Sequence, residues 1–189
     1  MKVTLINVSS IDGKLTKGTR NNIYEWSSPE DFAHFKQTLS QHNLIVMGSG
    51  TFNHVKDNET AGLKPEKERL RIILTSKPET YKQYAVPGQM EFSDETPTKL
   101  INRLEKLGYK QMLLVSGGKV ATSFFKANLI DDLWITIEPK IFGTGEPLVQ
   151  EEAFDISLQL FETKRLNENG ALLLKYRIHN NESNHLQNK

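Results

Sequence analysis

The sequence predicts one α/β domain with a mostly parallel central sheet, and three observations lead to that class. Short apolar runs typical of strands buried on both faces alternate with segments of helical periodicity. A polar turn between two β-favouring segments near the C-terminus indicates an antiparallel hairpin. The 189 residues, 37% hydrophobic and 25% charged, suit a single core. We therefore expect helices packed on a parallel sheet, with the hairpin extending one edge.

The N-terminal half is predicted to contain three buried strands and one clearly marked helix. Ser28 is a good N-cap for that helix, and Pro29 suits its first position. Asp31 follows the cap by three residues, which completes a capping box, and the helix ends near Gln41. The three strands cover residues 3–9, 44–47 and 70–74.

The C-terminal half continues the alternation and then changes to the hairpin. Gly108 is the expected stop of the first helix in this half. We place a single domain at residues 1–180 and a polar tail at 181–189. The predicted elements are a helix at 97–107, a strand at 112–115, a helix at 120–127, a strand at 133–137, and hairpin strands at 158–163 and 171–178.

Composition excludes several classes of function. Lys plus Arg is 24 and Asp plus Glu is 23, so no general attraction to nucleic acid or to a membrane surface follows. The chain has no cysteine, which excludes disulfides, thiolate catalysis and cysteine-ligated metals. The histidines lack ligand spacing, so we expect no metal site. The N-terminus has neither a spanning segment nor a signal-like core, and we expect a cytoplasmic protein.

Two predicted strands end in glycine turns that suit a phosphate group. Open α/β sheets bind ligands at the carboxyl ends of their strands, where glycine lets a ligand approach the backbone. The helix that follows offers free N–H groups and the positive end of its dipole. A tight turn without a ligand is the alternative for each site, but the pair favours a dinucleotide. The two turns are Gly48-Ser49-Gly50-Thr51 and Ser116-Gly117-Gly118-Lys119-Val120.

A third turn bears on which dinucleotide is bound. The first strand is not followed by the G-x-G-x-x-G fingerprint, and no acidic residue closes the next strand to hold a ribose diol. The strand at 70–74 instead continues into Thr75, Ser76 and Lys77. Two hydroxyls and an ammonium suit a phosphate, which favours NADPH over NADH. The alternative is a solvated turn that opens at Pro78.

The chain resembles the dihydrofolate reductase superfamily over nearly its whole length. Residues 31–36, 45–48 and 51–52 are similar to the helix, strand and phosphate turn of those enzymes. Residues 71–76 resemble the strand that ends at the adenosine 2′-phosphate, and residues 115–120 resemble the paired-glycine turn at the pyrophosphate. The resemblance implies a dihydrofolate-reductase-like three-layer fold and NADPH as the hydride donor.

Other segments resemble the pyrimidine reductases of riboflavin biosynthesis. The run from Ser10 to Lys14 is similar to their S-x-D-G-K signature. Residues 128–133, 139–148 and 174–177 resemble their C-terminal half. In those enzymes the substrate is a phosphoribosylamino-pyrimidine whose ribose ring is reduced to a ribityl chain, and the enzymes commonly form dimers. The resemblance therefore implies a small-molecule substrate, a phosphoribosylated pyrimidine, and a homodimer.

The chain departs from the riboflavin pattern in two places, which leaves the substrate open. Ser116 stands where those reductases usually carry Glu, and residues 57–63 lack their usual proline and arginine. An arginine is the natural partner of a substrate phosphate. Two alternatives remain: a dihydrofolate reductase or another small-substrate NADPH reductase, and a nucleotide-binding protein without catalysis.

Three residues are the candidates for catalysis. Asp31 is the carboxylate that could orient the substrate or relay a proton, as in dihydrofolate reductases, and its alternative role is the capping box. Asp12 has a substrate-side role or shapes its turn. Lys14 is the candidate partner of an anionic group in this loop, or a surface lysine.

Overall fold

The strands of the computed structural model form one eight-stranded sheet, in which the order is β4-β3-β2-β5-β1-β6-β8-β7. The structure describes residues 1–19, 23–56 and 65–179. The strands are β1 Lys2–Ser10, β2 Leu44–Gly48, β3 Leu70–Leu74, β4 Met90–Ser93, β5 Gln111–Val115, β6 Asp132–Glu138, β7 Ser157–Arg165 and β8 Leu172–His179. The helices are α1 Pro29–Ser40, α2 Ser49–Val55, α3 Pro97–Lys106 and α4 Gly118–Lys126.

The strand pairing confirms the predicted fold class. Strands β4, β3, β2, β5, β1 and β6 are parallel to one another, whereas β8 pairs antiparallel with both β6 and β7. The last two strands are the predicted hairpin, whose turn contains Gly170 at φ 95°. Because parallel strands need crossovers, helices cover both faces and bury the continuous apolar runs.

Two apolar cores, one on each face of the sheet, complete a three-layer arrangement. Leu100 and Leu104 of α3 and Phe124 of α4 pack with Leu5 and other buried side chains of the sheet on one face. On the other face, Phe52 of α2 packs with β-strand residues, and the half-buried side chains of α1 pack against it. The sheet is thereby held rigid under the carboxyl ends of its strands, where the glycine turns lie.

The sequence prediction missed β4 and placed the start of α4 two residues late. β4 has only four residues, lies at the edge of the sheet, and pairs with β3 alone. Of its side chains only that of Met90 is fully buried, so the strand lacks the apolar run that marks the central strands. This strand brings Ser93 and the residues that follow it to the end of β3, where Leu74 is the partner of Ser93.

Two predicted features lie outside the described residues. These are the segment 57–63, in which the proline and arginine of the riboflavin pattern are missing, and the tail at 181–189. Within the described residues, no helix has both the length and the apolar character that a membrane span requires.

Candidate active site

A cleft of about 600 Å³ opens at the carboxyl ends of β1, β2, β3 and β5. Each of the three predicted phosphate turns contributes to its wall, and so does the start of α1. The predicted site residues that line the cleft are residues 48–51, 75–76, 116–117 and 119–120, together with Asp31. The fold therefore brings most of the sequence-predicted site into one continuous space.

Both glycine turns present the start of a helix to this cleft. Gly48 is the N-cap of α2 and Gly117 is the N-cap of α4, and neither helix receives a side-chain cap hydrogen bond. A Cβ atom on Gly48 would lie 2.9 Å from Cγ2 of Val120, and one on Gly117 would lie 2.8 Å from Oε1 of Glu146. The glycines thus allow close approach of the elements, and the first N–H groups of each helix stay available for an anion.

Two predicted cofactor residues, Gly118 and Lys77, are not among the described residues that line the cleft. A Cβ atom on Gly118 would lie 2.2 Å from the carbonyl oxygen of Pro147, so this glycine permits the loop after β6 to pack on α4. The backbone N–H of Lys77 donates to Oγ1 of Thr75 over 3.3 Å, and the lysine side chain is exposed. Lys77 therefore directly follows the wall residues Thr75 and Ser76 in sequence, with its side chain in solvent.

Asp31 is the buried acidic group of the cleft. Asp31 is 7% exposed, and burial raises the pKa of its carboxyl from 3.8 to about 6. A hydrogen bond from Thr136 opposes this shift, and the nearby charge of Glu138 adds to it. Near neutral pH such a carboxyl exchanges its proton readily. The pKa value suits a group that holds or passes a proton at physiological pH.

Glu138 is a neighbour of Asp31 that the sequence analysis missed, and it takes over part of the predicted capping box. Oγ of Ser28 accepts from the backbone N–H of Asp31 over 3.3 Å, which is one half of the predicted capping box. The backbone N–H of Ser28 donates to Oε1 of Glu138 over 2.7 Å, not to Asp31. Glu138, at the end of β6, thus takes the second half of the cap and leaves the Asp31 carboxyl facing the cleft.

Asp12 and Lys14 lie beside the cleft, and neither is part of its wall among the described residues. The Asp12 carboxylate accepts from Oγ of Ser10 over 2.6 Å and from the backbone N–H groups of Phe142 and Gly143 over 3.1 and 2.7 Å. These hydrogen bonds lower the pKa of Asp12 from 3.8 to about 2, and the one from Ser10 has the largest effect. This geometry ties the S-x-D-G-K turn to the loop after β6. The substrate-side role of Asp12 and Lys14 stays a prediction.

Two polar side chains at the floor of the cleft have no hydrogen-bond partner among the described residues. They are the hydroxyl of Ser116, a residue only 2% exposed, and Nδ2 of Asn7. Asn7 lies in β1, Ser116 directly follows β5, and both residues line the cleft. Buried polar atoms without partners are costly in a folded protein. A ligand with an amide edge would satisfy both, which fits the carboxamide of a nicotinamide ring.

The eight-stranded, mostly parallel sheet with its terminal antiparallel hairpin and a cleft at the carboxyl ends of its strands defines the dihydrofolate-reductase-like fold. The chain belongs to the RibD C-terminal domain family, whose model matches residues 1–172. The uncharacterized protein YwjB of Bacillus subtilis is 26% identical over 179 residues, which cover 93% of this chain and 97% of that protein.

Solved structures share the fold at low sequence identity. A putative riboflavin biosynthesis protein from Shewanella sp. PV-4 has a TM-score of 0.76 and 18% identity, and the match covers 95% of this chain and 100% of that one. The deaminase/5-amino-6-(5-phosphoribosylamino)uracil reductase of Thermotoga maritima has a TM-score of 0.72 and 19% identity, over 93% of this chain and 56% of that one. The dihydrofolate reductase of Enterococcus faecalis, complexed with NADP(H), has a TM-score of 0.59 and 19% identity, and the match covers 95% of this chain and 97% of that one.

Proposed function

We propose that this protein is an NADPH-dependent reductase of the riboflavin-biosynthesis type, and that it transfers hydride to a small phosphorylated pyrimidine. The observation that carries the proposal is the composition of one cleft. Two glycine turns with open helix starts and a buried carboxyl, that of Asp31, line the same space of about 600 Å³. The turns suit the phosphates of a dinucleotide, and the carboxyl suits the proton that must accompany a hydride.

The residues of the cleft fit a nicotinamide dinucleotide in three places. The N–H groups that begin α2 and α4 would hold the pyrophosphate, with the Thr51 hydroxyl beside them. Thr75 and Ser76 would hold the adenosine end, and Lys77 would reach it from the rim. Asn7 and Ser116 would bind the carboxamide edge. When bound, NADPH supplies the hydride, and the protein supplies position, charge and a proton.

Asp31 is the proposed acid–base group at the substrate side. Its protonated form can donate to a ring nitrogen or oxygen of the substrate, and its ionised form can orient an amine. The raised pKa, about 6, keeps both forms accessible near neutrality. Thr136 holds the carboxyl in place, and Glu138 keeps it out of the helix cap. Asp31 would thus lie where a heterocycle can meet both the carboxyl and the nicotinamide.

The pyrimidine substrate is supported by the family and by the names of proteins that share the fold. The Thermotoga maritima protein is a 5-amino-6-(5-phosphoribosylamino)uracil reductase, and the Shewanella protein is named for riboflavin biosynthesis. The carboxyl of Asp31 would serve dihydrofolate equally well, so dihydrofolate is the second substrate to assay. The proposal includes a cytoplasmic location, where both the cofactor and a phosphorylated substrate are found.

Calorimetric titration with NADPH, followed by assays of the pyrimidine and of dihydrofolate, tests the proposal. We expect NADPH to bind and 5-amino-6-(5-phosphoribosylamino)uracil to be reduced, with absorbance lost at the nicotinamide band. Turnover of dihydrofolate but not of the pyrimidine would show that the substrate is a folate. Binding without turnover of either substrate would favour a nucleotide-binding protein that has no catalysis.

The adenosine end gives the first prediction. Replacing Ser76 and Lys77 together with Ala removes a hydroxyl and an ammonium from the proposed 2′-phosphate site. We expect NADPH to bind about tenfold to 100-fold more weakly, since charge-assisted contacts to a phosphate are among the strongest polar contacts. NADH affinity, measured by the same titration, should change less than about threefold. The control is Lys82→Ala, an exposed lysine outside the cleft. An equal loss for both cofactors would refute the assignment.

The hairpin supports the proposed homodimer and gives a second prediction. Leu158, Leu160 and Leu172 are 43%, 47% and 39% exposed, and their register sets them on the face of the sheet that carries the α3–α4 core. A second copy would cover this face by pairing like surfaces about a two-fold axis.

We expect light scattering to give the mass of a dimer for the natural chain and that of a monomer for Leu158→Glu/Leu160→Glu. The two carboxylates would have to be buried in the contact, which costs more than the apolar area gains. Cofactor affinity should persist, because neither Leu158 nor Leu160 lines the cleft. Leu107→Glu, at the 62% exposed C-cap that follows α3, is the matched control and should remain a dimer. A monomeric natural chain would contradict the proposed dimer.

A further inference from the structure

The edge strand β4 brings acidic residues to the adenosine end of the cleft. Leu74 pairs with Ser93 at the ends of β3 and β4, and the backbone N–H of Thr75 donates to the carbonyl oxygen of Ser93 over 2.9 Å. Asp94 and Glu95 follow directly and line the cleft with Thr75 and Ser76. An acidic group therefore does lie next to the end of β3, although the continuous sequence, read strand by strand, did not indicate it.

The two carboxylates differ in how far they are neutralised. Arg103 donates to Glu95 from Nε over 3.0 and 3.1 Å and from Nη2 over 2.9 Å. This arginine, followed by the hydroxyl of Ser93, lowers the pKa of Glu95. Asp94 is exposed at the rim, and within the described part of the chain it forms no hydrogen bond or ion pair. The charge of Glu95 is thus compensated, and that of Asp94 faces the ligand space.

Among the described residues that line the cleft, acidic side chains outnumber basic ones, so little nearby positive charge offsets that of Asp94. Asp31, Asp94, Glu95 and Glu146 line it, whereas Lys119 is the one lysine or arginine among the described lining residues. A 2′-phosphate carries nearly two negative charges near pH 7, whereas a free 2′-hydroxyl is neutral and can donate to a carboxylate. A carboxylate next to this position thus disfavours the phosphate and accepts the hydroxyl.

We infer that Asp94 is a specificity-determining residue at the adenosine ribose, which opposes the 2′-phosphate and narrows the preference of the cleft for NADPH over NADH. The inference rests on the proposed function, because it takes Thr75 and Ser76 as the 2′-position. Ser76 and Lys77 attract the phosphate and Asp94 repels it, so the cleft accepts both cofactors. The balance between a cation on one strand end and an anion on its neighbour sets the ratio of the two affinities.

The experiment compares the dissociation constants of NADPH and NADH for the natural chain, for Asp94→Asn and for a control. The asparagine has the same shape without the charge, so folding is preserved. We expect Asp94→Asn to tighten NADPH about threefold to tenfold, with NADH unchanged or weaker, and the gain to shrink as salt is added. The control is Asp155→Asn, an exposed carboxylate outside the main cleft that changes the net charge by the same amount.

A second pair of probes isolates the adenosine end. Adenosine 2′,5′-bisphosphate should gain affinity in Asp94→Asn by the same factor as NADPH, and 5′-AMP should not. Equal tightening of NADPH and NADH, or the same gain in Asp155→Asn, would overturn the inference and leave the proposed function intact. If the natural chain binds neither cofactor nor either probe, the proposed function is overturned, and the inference with it.

Discussion

Asp31→Asn is expected to lower turnover and to raise stability in the same variant. Asparagine keeps the shape of the side chain and can still accept from Thr136, but it cannot hold or pass a proton. We expect kcat/KM for the pyrimidine substrate to fall at least about 100-fold, which is the usual contribution of a positioned acid or base. The limb of the pH profile with an apparent pKa near 6 should disappear with it.

The effect of Asp31→Asn on stability has a defined pH window. The pKa of this carboxyl rises from 3.8 in the unfolded chain to about 6 in the folded one. The folded state therefore binds the proton more tightly, and stability falls as pH rises from about 4 to about 6. Above that range the charged carboxylate costs the folded state about 3 kcal/mol, and the variant lacks this cost. Urea unfolding should show the variant more stable by about that amount at pH 8, and equal to the natural chain near pH 4.

Glu30→Gln is the matched control, because Glu30 lies one residue earlier in the same helical turn. Its carboxylate is exposed and accepts from Nδ2 of Asn167 over 3.1 Å, and that hydrogen bond lowers its pKa. Its replacement should leave kcat/KM unchanged and should not raise stability at pH 8. A gain in stability without loss of turnover in Asp31→Asn would show a buried carboxyl with no part in the reaction.

Gly118→Ala is expected to destabilise the protein by about 3 kcal/mol, the range of a severely overpacked site. The added Cβ atom would lie 2.2 Å from the carbonyl oxygen of Pro147 and 3.4 Å from that of Leu148. Both are backbone atoms of the loop after β6, so relief requires the loop to move away from α4. That loop also carries Glu146 into the cleft, and cofactor affinity should fall with stability. Denaturant unfolding and NADPH titration measure the two effects.

Gly50→Ala separates this steric effect from the general effect of replacing a glycine in a phosphate turn. No atom lies within 4 Å of a Cβ built on Gly50, which is inside α2. Alanine is favoured over glycine in a helix by about 1 kcal/mol, so this variant should be as stable as the natural chain or more so. If both variants lose stability equally, the contact between Gly118 and Pro147 is not the cause.

The amino-acid sequence determined the architecture, because the features behind it are local. Apolar runs, the Ser28 cap, the stop at Gly108 and the hairpin turn each depend on neighbouring residues alone. They suffice for a parallel α/β sheet with a terminal hairpin. The glycine turns could be found in the same way, since a strand followed by glycine and a helix start is a local pattern.

The tertiary structure alone decided how the site is charged and which groups are free to act in it. Glu138 lies 110 residues from Ser28, yet it caps α1 and releases Asp31, while the short edge strand β4 sets Asp94 against Thr75. Gly118 packs against Pro147 in the loop after β6, and the fold brings Asn7 of β1 and Ser116 after β5 into the lining of one cleft. Burial and desolvation depend on such distant contacts, so the raised pKa of Asp31 could arise only once the whole sheet had assembled.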